Sequence, residues 1–219
     1  MTKLSWGRNG EMLATLTSIL EWLGVVVFAI TGALVASRKE MDIFGFILLG
    51  VVTGIGGGTL RDLLLGLTPV FWIREPVYLI VCVAAAAAVF FLAHLAHSRH
   101  RVLLWLDAAG LALFAAVGAE IALRAEASPI VAVAMGVITA TFGGIVRDIL
   151  GAEIPVVLAR EIYVTAALIG SLAFVGLIGL GMPREGALAV AFGLAFAIRG
   201  AALLWSWSLP RYRPRAGGD

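Results

Sequence analysis

The sequence predicts an all-α integral membrane protein with seven transmembrane helices, six of which form two inverted three-helix repeats. Composition, the spacing of apolar runs and an internal repeat lead to this prediction. The chain of 219 residues is 61% hydrophobic and 14% charged, whereas soluble domains are roughly half apolar and a quarter charged. A folded chain of this size leaves about a quarter to a third of its unfolded surface exposed. A soluble fold could not bury the apolar surface of so hydrophobic a chain. Lipid must therefore be the solvent for most of the molecule.

Seven apolar runs are long enough to cross a bilayer, which requires about 20 residues per helix. They lie at 18–37, 43–66, 77–96, 103–122, 129–152, 162–181 and 186–206. The charged loops between them are too short to form a soluble domain. We therefore expect a single transmembrane domain over residues 1–206, followed by a basic tail at 207–219.

Basic residues predict the orientation, because seven spans place the two termini on opposite sides. The N-terminal side carries Lys3, Arg8, Arg74, Arg124 and Arg184. The other side carries Arg38, Lys39, Arg99, Arg101, Arg160, Arg211, Arg213 and Arg215. The positive-inside rule then predicts a cytoplasmic C-terminus. The N-terminus lacks a signal-peptide pattern, so we expect it to be retained, and the short loops suit a prokaryotic inner membrane.

An offset of 86 residues aligns the chain with itself at roughly twenty of about fifty-five positions, including charged residues. Repeat one covers about 18–97, repeat two about 103–182, and the seventh helix, 186–206, has no counterpart. Each repeat contains three spans, so the second must enter the membrane from the opposite side. We therefore expect inverted repeats related by a pseudo-two-fold axis in the membrane plane, with a functional site at their interface.

Glycine-rich segments in the second and fifth spans are the candidate site. Glycine costs about 1 kcal/mol relative to alanine inside a helix, so these segments predict a kink or a short unwound stretch. Unpaired backbone groups in lipid need water or protein partners, which predicts a hydrated cavity. The alternative is that small residues only allow close helix packing. The predicted kink positions are Gly54, Gly56, Gly57, Gly58, Gly143 and Gly144.

An arginine–aspartate pair follows the glycines in both copies, as Arg61-Asp62 and Arg147-Asp148. A charge within a span costs at least about 2.5 kcal/mol and is retained when it is paired or hydrated. Adjacent helical residues point about 100° apart, so we expect pairing across the interface, Arg61 with Asp148 and Arg147 with Asp62. The alternative is that both pairs lie in water at helix ends.

The sequence lacks the motifs of nucleotide-binding proteins and enzymes. Residues 54–59 superficially resemble a dinucleotide fingerprint but lack its last glycine and its surrounding strand and helix. No catalytic pattern is present, so we expect neither an enzyme nor a cofactor. His94, His97 and His100 are read as interfacial polar residues rather than a metal site. The small basic tail argues against nucleic-acid binding.

The two motifs at 56–62 and 143–148, in a duplicated seven-span chain, resemble those of the prokaryotic trimeric intracellular cation (TRIC) channels. The resemblance runs from about Leu20 to Trp205. It implies a homotrimer in membrane lipid, with a hydrophilic pore in each protomer framed by kinked second and fifth helices. It also implies conduction of monovalent cations, chiefly potassium.

Oxygen atoms near the glycines suit a cation, because carbonyls at the end of a half-helix carry partial negative charge. Thr53, Thr139, Asp62 and Asp148 are therefore expected to line the pore. Arginine repels cations unless it is paired, which makes Arg61 and Arg147 candidate gates. The predicted potassium path runs near Thr53, Gly54, Gly56 and Asp62.

A carrier for a small zwitterion such as glycine is the alternative, because the broader family includes proteins assigned to glycine uptake. Inverted repeats with broken helices are also common in secondary transporters, and arginine and aspartate can hold a carboxylate and an ammonium group. Animal TRIC proteins bind phosphoinositide at a lysine-containing signature. Arg147 has no lysine nearby, so lipid regulation is not carried over. A purely structural role leaves the duplicated charges unexplained.

Overall fold

A computed structural model of the chain describes residues 8–93, 98–158 and 162–208, with side chains from Thr15 onward. Its secondary structure consists of α-helices and one short 3-10 turn, Val156–Leu158. The helices are α1 (Arg8–Arg38), α2 (Ile43–Leu64), α3 (Phe71–Arg74), α4 (Val77–Leu92), α5 (Arg99–Arg124), α6 (Pro129–Leu150), α7 (Val164–Gly179) and α8 (Arg184–Trp205).

Five helices are long and apolar enough to cross a membrane: α1, α2, α5, α6 and α8. This confirms an all-helical membrane protein. The apolar helices α4 and α7 have 16 residues each and are shorter than the predicted spans. The turn after α7 explains its early end, because Gly181 has a φ of +83° that continues no helix. That α4 and α7 also cross the membrane stays a prediction.

Helix caps and turns occur at equivalent positions in the two repeats. Asp42 caps α2 by accepting a hydrogen bond from the Gly45 N–H at 2.8 Å. Ser128, 86 residues later, caps α6 by accepting one from Val131. Such caps contribute about 1 kcal/mol each. The preceding turns contain Glu40 and Glu126, 86 residues apart and both at positive φ. The sequence repeat is therefore also a repeat of local structure.

The centre of the molecule is built from α1, α2, α5 and α6, with α1 packed on α5 and α2 on α6. The rings of Phe28 and Phe114, 86 residues apart, meet edge to face at 5.2 Å. Each ring lies against a glycine of the opposite helix, Phe28 on Gly110 and Phe114 on Gly24. Bare glycine surfaces therefore let α1 and α5 approach closely.

The outer helices surround this centre. Helix α4 packs on α1 and α2, and α7 packs on α5 and α6. Helix α8, which has no counterpart at the 86-residue offset, packs on α5 and α7. Large apolar side chains such as Phe44, Ile80 and Leu204 are exposed on the outside, which suits contact with lipid.

Several predicted features fall outside the described residues: His94, His97, Arg160 and most of the basic tail, including Arg211, Arg213 and Arg215. The side chains of Lys3 and Arg8 are outside them as well. The predicted orientation, which depends on these charges, stays a prediction.

Candidate functional site

The first candidate site is a buried ionic cluster of Glu21, Arg61 and Asp62, called here the first cluster. The Arg61 Nη2 lies 2.6 Å from Asp62 Oδ1, and its Nη1 lies 2.9 Å from Glu21 Oε1. The second oxygen of Asp62 accepts a hydrogen bond from the Phe71 N–H at 2.8 Å. The cluster therefore joins α1, α2 and the start of α3.

A second cluster contains Asp107, Arg147 and Asp148. The Arg147 Nη1 lies 2.6 Å from Asp107 Oδ1, and its Nε donates to Asp148 Oδ1 at 2.8 Å. Asp148 Oδ2 accepts a hydrogen bond from the Val156 N–H at 3.0 Å. Arg147 Nη1 also contacts the Thr31 hydroxyl oxygen at 3.2 Å. This cluster joins α5, α6 and the 3-10 turn.

The two clusters are equivalent under the repeat, because Glu21 and Asp107 are separated by the same 86 residues as their arginine and aspartate partners. Neither Glu21 nor Asp107 was predicted as a site residue. The sequence did contain a signal for them, because the 86-residue offset aligns the acidic residue Glu21 with the acidic residue Asp107. Extending the comparison to the first half of α1 would have found the pair.

The predicted pairing across the interface is wrong. Arg61 pairs with Asp62 and Glu21, and Arg147 pairs with Asp148 and Asp107. The angular argument overlooked the reach of arginine, whose long side chain presents several donors and bends back to the neighbouring carboxylate. In a buried site these short contacts offset the cost of removing both charges from water.

The alternative of hydrated helix ends is also wrong. The side chains are buried, with relative exposures of 1% for Arg61, 0% for Asp62, 1% for Arg147 and 3% for Asp148. Each cluster holds two acids and one arginine, so its formal charge is −1 when all three groups are ionised. A buried excess charge of this kind is costly and favours a nearby cation.

The glycine segments stay helical, so the predicted unwound stretch is wrong. Helices α2 and α6 are continuous from end to end. A Cβ on Gly57 would collide with the Thr139 carbonyl, and one on Gly143 would collide with the Thr53 carbonyl. These glycines therefore allow α2 and α6 to cross closely, as in the packing alternative. Kinking of the two helices stays a prediction.

The remaining glycines face other neighbours. A Cβ on Gly56 would lie 3.7 Å from the Gly143 Cα, which again belongs to the crossing. One on Gly54 would lie 2.9 Å from Cys82 Sγ on α4. The bare sides of Gly58 and Gly144 face aromatic residues, Phe71 and Tyr163 respectively. The predicted kink positions are therefore packing positions, at the crossing of α2 and α6 and against α3, α4 and the start of α7.

The predicted threonines lie at the crossing and are fully buried. The Thr53 hydroxyl donates to the Leu49 carbonyl, and the Thr139 hydroxyl donates to the Met135 carbonyl at 2.6 Å. Each hydroxyl has thereby used its proton and keeps lone pairs as acceptors. Such oxygens can coordinate a cation and offer nothing to an anion.

Short segments that the sequence analysis missed cover both clusters. Over the first cluster, the Phe71 ring centre lies 5.8 Å from the Arg61 guanidinium carbon. The Trp72 indole N–H donates to Thr59 Oγ1 at 2.9 Å and holds α3 in place. Over the second cluster, the 3-10 turn is attached through the bond from Val156 to Asp148. Both cover segments are fixed by the aspartate of an Arg-Asp pair.

Fold and clusters together define a multi-pass helical membrane protein with paired ionic groups in its interior. The chain belongs to the TRIC channel family, which confirms the resemblance seen in its motifs. A family model described as "Glycine transporter" matches residues 18–94 and again residues 104–178. The two matches begin 86 residues apart, as the internal repeat does.

Curated relatives cover most of the chain. The UPF0126 inner membrane protein YadS of Escherichia coli K12 is 42% identical over 198 residues, which is 88% of this chain and 94% of that protein. The UPF0126 membrane protein YvgT of Bacillus subtilis is 33% identical over 196 residues, with the same two coverages.

Solved structures extend the similarity to the fold. The TRIC trimeric intracellular cation channel orthologue of Rhodobacter sphaeroides is 61% identical, with a TM-score of 0.86, over 88% of this chain and all of that one. A structure described under conductance through TRIC cation channels is 38% identical, with a TM-score of 0.82, over 91% of this chain and 98% of its own. A prokaryotic TRIC channel in 0.5 M KCl is 33% identical, with a TM-score of 0.83, and the match covers 90% of this chain and 100% of that one.

Proposed function

We propose that this chain is a channel for monovalent cations, chiefly potassium, with a separate pore in each protomer of a homotrimer. The observation that carries the proposal is that both buried clusters contain two acids for one arginine. The descriptions of similar solved proteins as TRIC cation channels support the same class.

The clusters lie near opposite ends of the proposed pore. Arg61 and Arg147 each lie three residues before the last residue of their helix, and in an inverted arrangement α2 and α6 end on opposite sides. Each arginine is neutralised by one acid, and the second acid leaves a net negative charge that attracts cations. The arginines therefore present no barrier while they stay paired.

Between the clusters, the path runs past the crossing of α2 and α6. The backbone carbonyls of Thr53 and Thr139 lie at this crossing, and their hydroxyl oxygens lie beside it, against Gly32 of α1 and Gly118 of α5. In this proposal the lone pairs of these hydroxyl oxygens replace part of the hydration shell of a passing cation. On the side of the first cluster the path continues near Gly54, Gly56 and Asp62. Asp148 is its equivalent at the other end.

In this proposal the acids, the arginines and the cover segments close the pore at both ends. Opening requires an arginine to leave one of its two acids, which frees a carboxylate for the ion. Arg61 and Arg147 are therefore the gates of this proposal. The bonds of Asp62 to Phe71 and of Asp148 to Val156 link each gate to its cover segment.

The proposed architecture has seven spans, with α4 and α7 crossing the membrane as the third members of two inverted repeats. The termini then lie on opposite sides, with the C-terminus in the cytoplasm. The inner membrane of a prokaryote is the proposed location, in keeping with the name of the Escherichia coli relative.

Reconstitution in a planar bilayer tests the function. Purified protein in symmetric KCl should produce discrete unitary currents, and replacement of potassium by N-methyl-D-glucamine should abolish them. Empty bilayers treated with the same detergent are the control. Absence of unitary currents from correctly folded trimers would contradict the proposal.

Glycine transport is the second candidate, because the matching family model carries that description. An arginine between two acids also offers partners for both ends of a zwitterion. Uptake of labelled glycine into proteoliposomes distinguishes the two functions. Saturable uptake without unitary currents would identify a carrier, whereas currents without glycine uptake would identify a channel.

A further inference from the structure

Tyr163, at the start of α7, buries a hydroxyl group that has no hydrogen-bond partner among the described residues. Its relative exposure is 1%. Buried hydroxyl groups nearly always have a protein or solvent partner, because an unsatisfied one loses its hydration without compensation. This hydroxyl therefore points to a ligand.

Three polar atoms converge beside the bare Cα of Gly144. A Cβ built there would lie 2.9 Å from Tyr163 Oη, 3.8 Å from Asp107 Oδ1 and 3.6 Å from Arg147 Nη2. The orphan hydroxyl is thus aimed at the edge of the second cluster. Because a contact of 2.9 Å is too short for a methyl group, the Tyr163 hydroxyl packs directly against the bare Cα of Gly144.

In the first copy, an apolar ring faces the glycine that is equivalent to Gly144. Gly58 lies 86 residues before Gly144, and a Cβ on it would lie 2.7 Å from a ring carbon of Phe71. An aromatic ring therefore fills this position in one copy, whereas a phenol oxygen and a carboxylate face it in the other. The first copy places a different tyrosine, Tyr78, beside its acid, and the Tyr78 hydroxyl is hydrogen-bonded to Glu21. The two copies therefore differ in that the Tyr163 hydroxyl has no such partner among the described residues.

We propose that Tyr163 Oη and Asp107 Oδ1 form a binding subsite for a monovalent cation beside the second cluster. The proposal rests on the proposed function and names a place where the permeant ion stops. Tyrosine and carboxylate oxygens are hard ligands of the kind that alkali cations prefer. The carboxylate of Asp107 supplies the negative charge.

Two buried arginines, Arg147 and Arg199, also lie around the subsite. Arg147 is engaged by Asp107 through Nη1 and by Asp148 through Nε. Arg199 of α8 lies 5.2 Å from the centre of the Tyr163 ring, so it stacks on the ring and holds it in position. Both arginines carry positive charge that repels a cation, so the subsite depends on the oxygen atoms of Asp107 and Tyr163.

Thallium replaces potassium and scatters anomalously, so crystals of the whole chain soaked in thallium nitrate locate the site directly. We expect an anomalous peak in contact with Tyr163 Oη and Asp107 Oδ1, lost in Tyr163→Phe. The control is Tyr78→Phe, which removes another buried hydroxyl, next to the first cluster, and should keep the peak. Density without anomalous signal, meaning water only, would overturn the proposal, as would a bromide peak after a bromide soak.

Thermal unfolding in detergent provides a second readout. Potassium chloride should raise the Tm of the wild-type chain above its value in N-methyl-D-glucamine chloride of equal ionic strength. Tyr163→Phe should lose at least half of this potassium-dependent rise, while Tyr78→Phe retains it. An equal rise in Tyr163→Phe and wild type would contradict the subsite.

The two proposals fail in different ways. A thallium peak without unitary currents would keep the subsite and remove the channel. Unitary potassium currents without a thallium peak would keep the channel and remove the subsite. Only the loss of both results would remove both proposals.

Discussion

At the residue scale, Glu21 and Asp107 determine the charge of the two clusters. Each adds the second acid to an arginine that already has an aspartate beside it. Without this acid, a cluster is formally neutral and attracts no cation. In the proposed channel, these two acids therefore determine how strongly each cluster attracts a cation.

Neutralising these acids should reduce conduction. We expect Glu21→Gln and Asp107→Asn each to lower unitary potassium conductance by roughly tenfold at low ionic strength, because focused charge raises the local ion concentration by about that factor. The loss should shrink in high salt, which screens charge. The control is Glu153→Gln, an acid paired at the surface with Arg38 and Lys39. Equal conductance in all four proteins would contradict this role.

Charge exchange tests the corrected pairing. The double variant Glu21→Arg with Arg61→Glu preserves the composition of the first cluster, so it should recover part of the stability lost in Arg61→Glu alone. Breaking a buried ion pair costs about 3–5 kcal/mol, which thermal unfolding in detergent measures readily.

The exchange across the repeats serves as the comparison. Arg61→Asp with Asp148→Arg should recover nothing, because those two residues belong to different clusters. Recovery in this second double variant and none in the first would restore the original cross-interface prediction.

At the element scale, the crossing of α2 and α6 depends on glycine. Gly57→Ala and Gly143→Ala should each destabilise the protein by about 1–3 kcal/mol, because the added methyl group meets a backbone carbonyl that cannot move aside. Gly193→Ala in α8 is the control. A Cβ there meets nothing within 4 Å, so we expect it to be neutral or stabilising by up to about 1 kcal/mol. Equal melting temperatures for all three variants would contradict the close crossing.

The positions of most of the long helices were predictable from the sequence. The apolar runs located α2, α5, α6 and α8 within a few residues, because lipid requires about 20 apolar residues per crossing. Helix α1 begins at Arg8, ten residues before its predicted span. The unwound stretch was wrongly predicted, because glycine propensity is a weak argument where tertiary packing holds the helix together. The short helix α3 was missed. Its four residues, Phe71–Arg74, give no periodic signal, and it is held by the Asp62 carboxylate and the Thr59 hydroxyl.

At the scale of the whole molecule, the internal duplication allows the site residues of one repeat to be predicted from those of the other. The same offset that aligned Arg61-Asp62 with Arg147-Asp148 also relates Glu21 to Asp107 and Phe28 to Phe114. The ion-pair partners of Arg61 and Arg147 were not predictable, because they depend on how far these side chains reach after the helices pack. The Tyr163 hydroxyl was also hidden from sequence reasoning, since its position 86 residues earlier holds Val77.

The reversal potential of purified wild-type protein in a planar bilayer, under a potassium chloride gradient, tests the central claim most directly. Two net-negative clusters predict a reversal potential close to the potassium equilibrium potential. The double variant Glu21→Gln with Asp107→Asn should shift it toward zero. A wild-type reversal potential at zero or near the chloride equilibrium potential would contradict a cation channel built on these clusters.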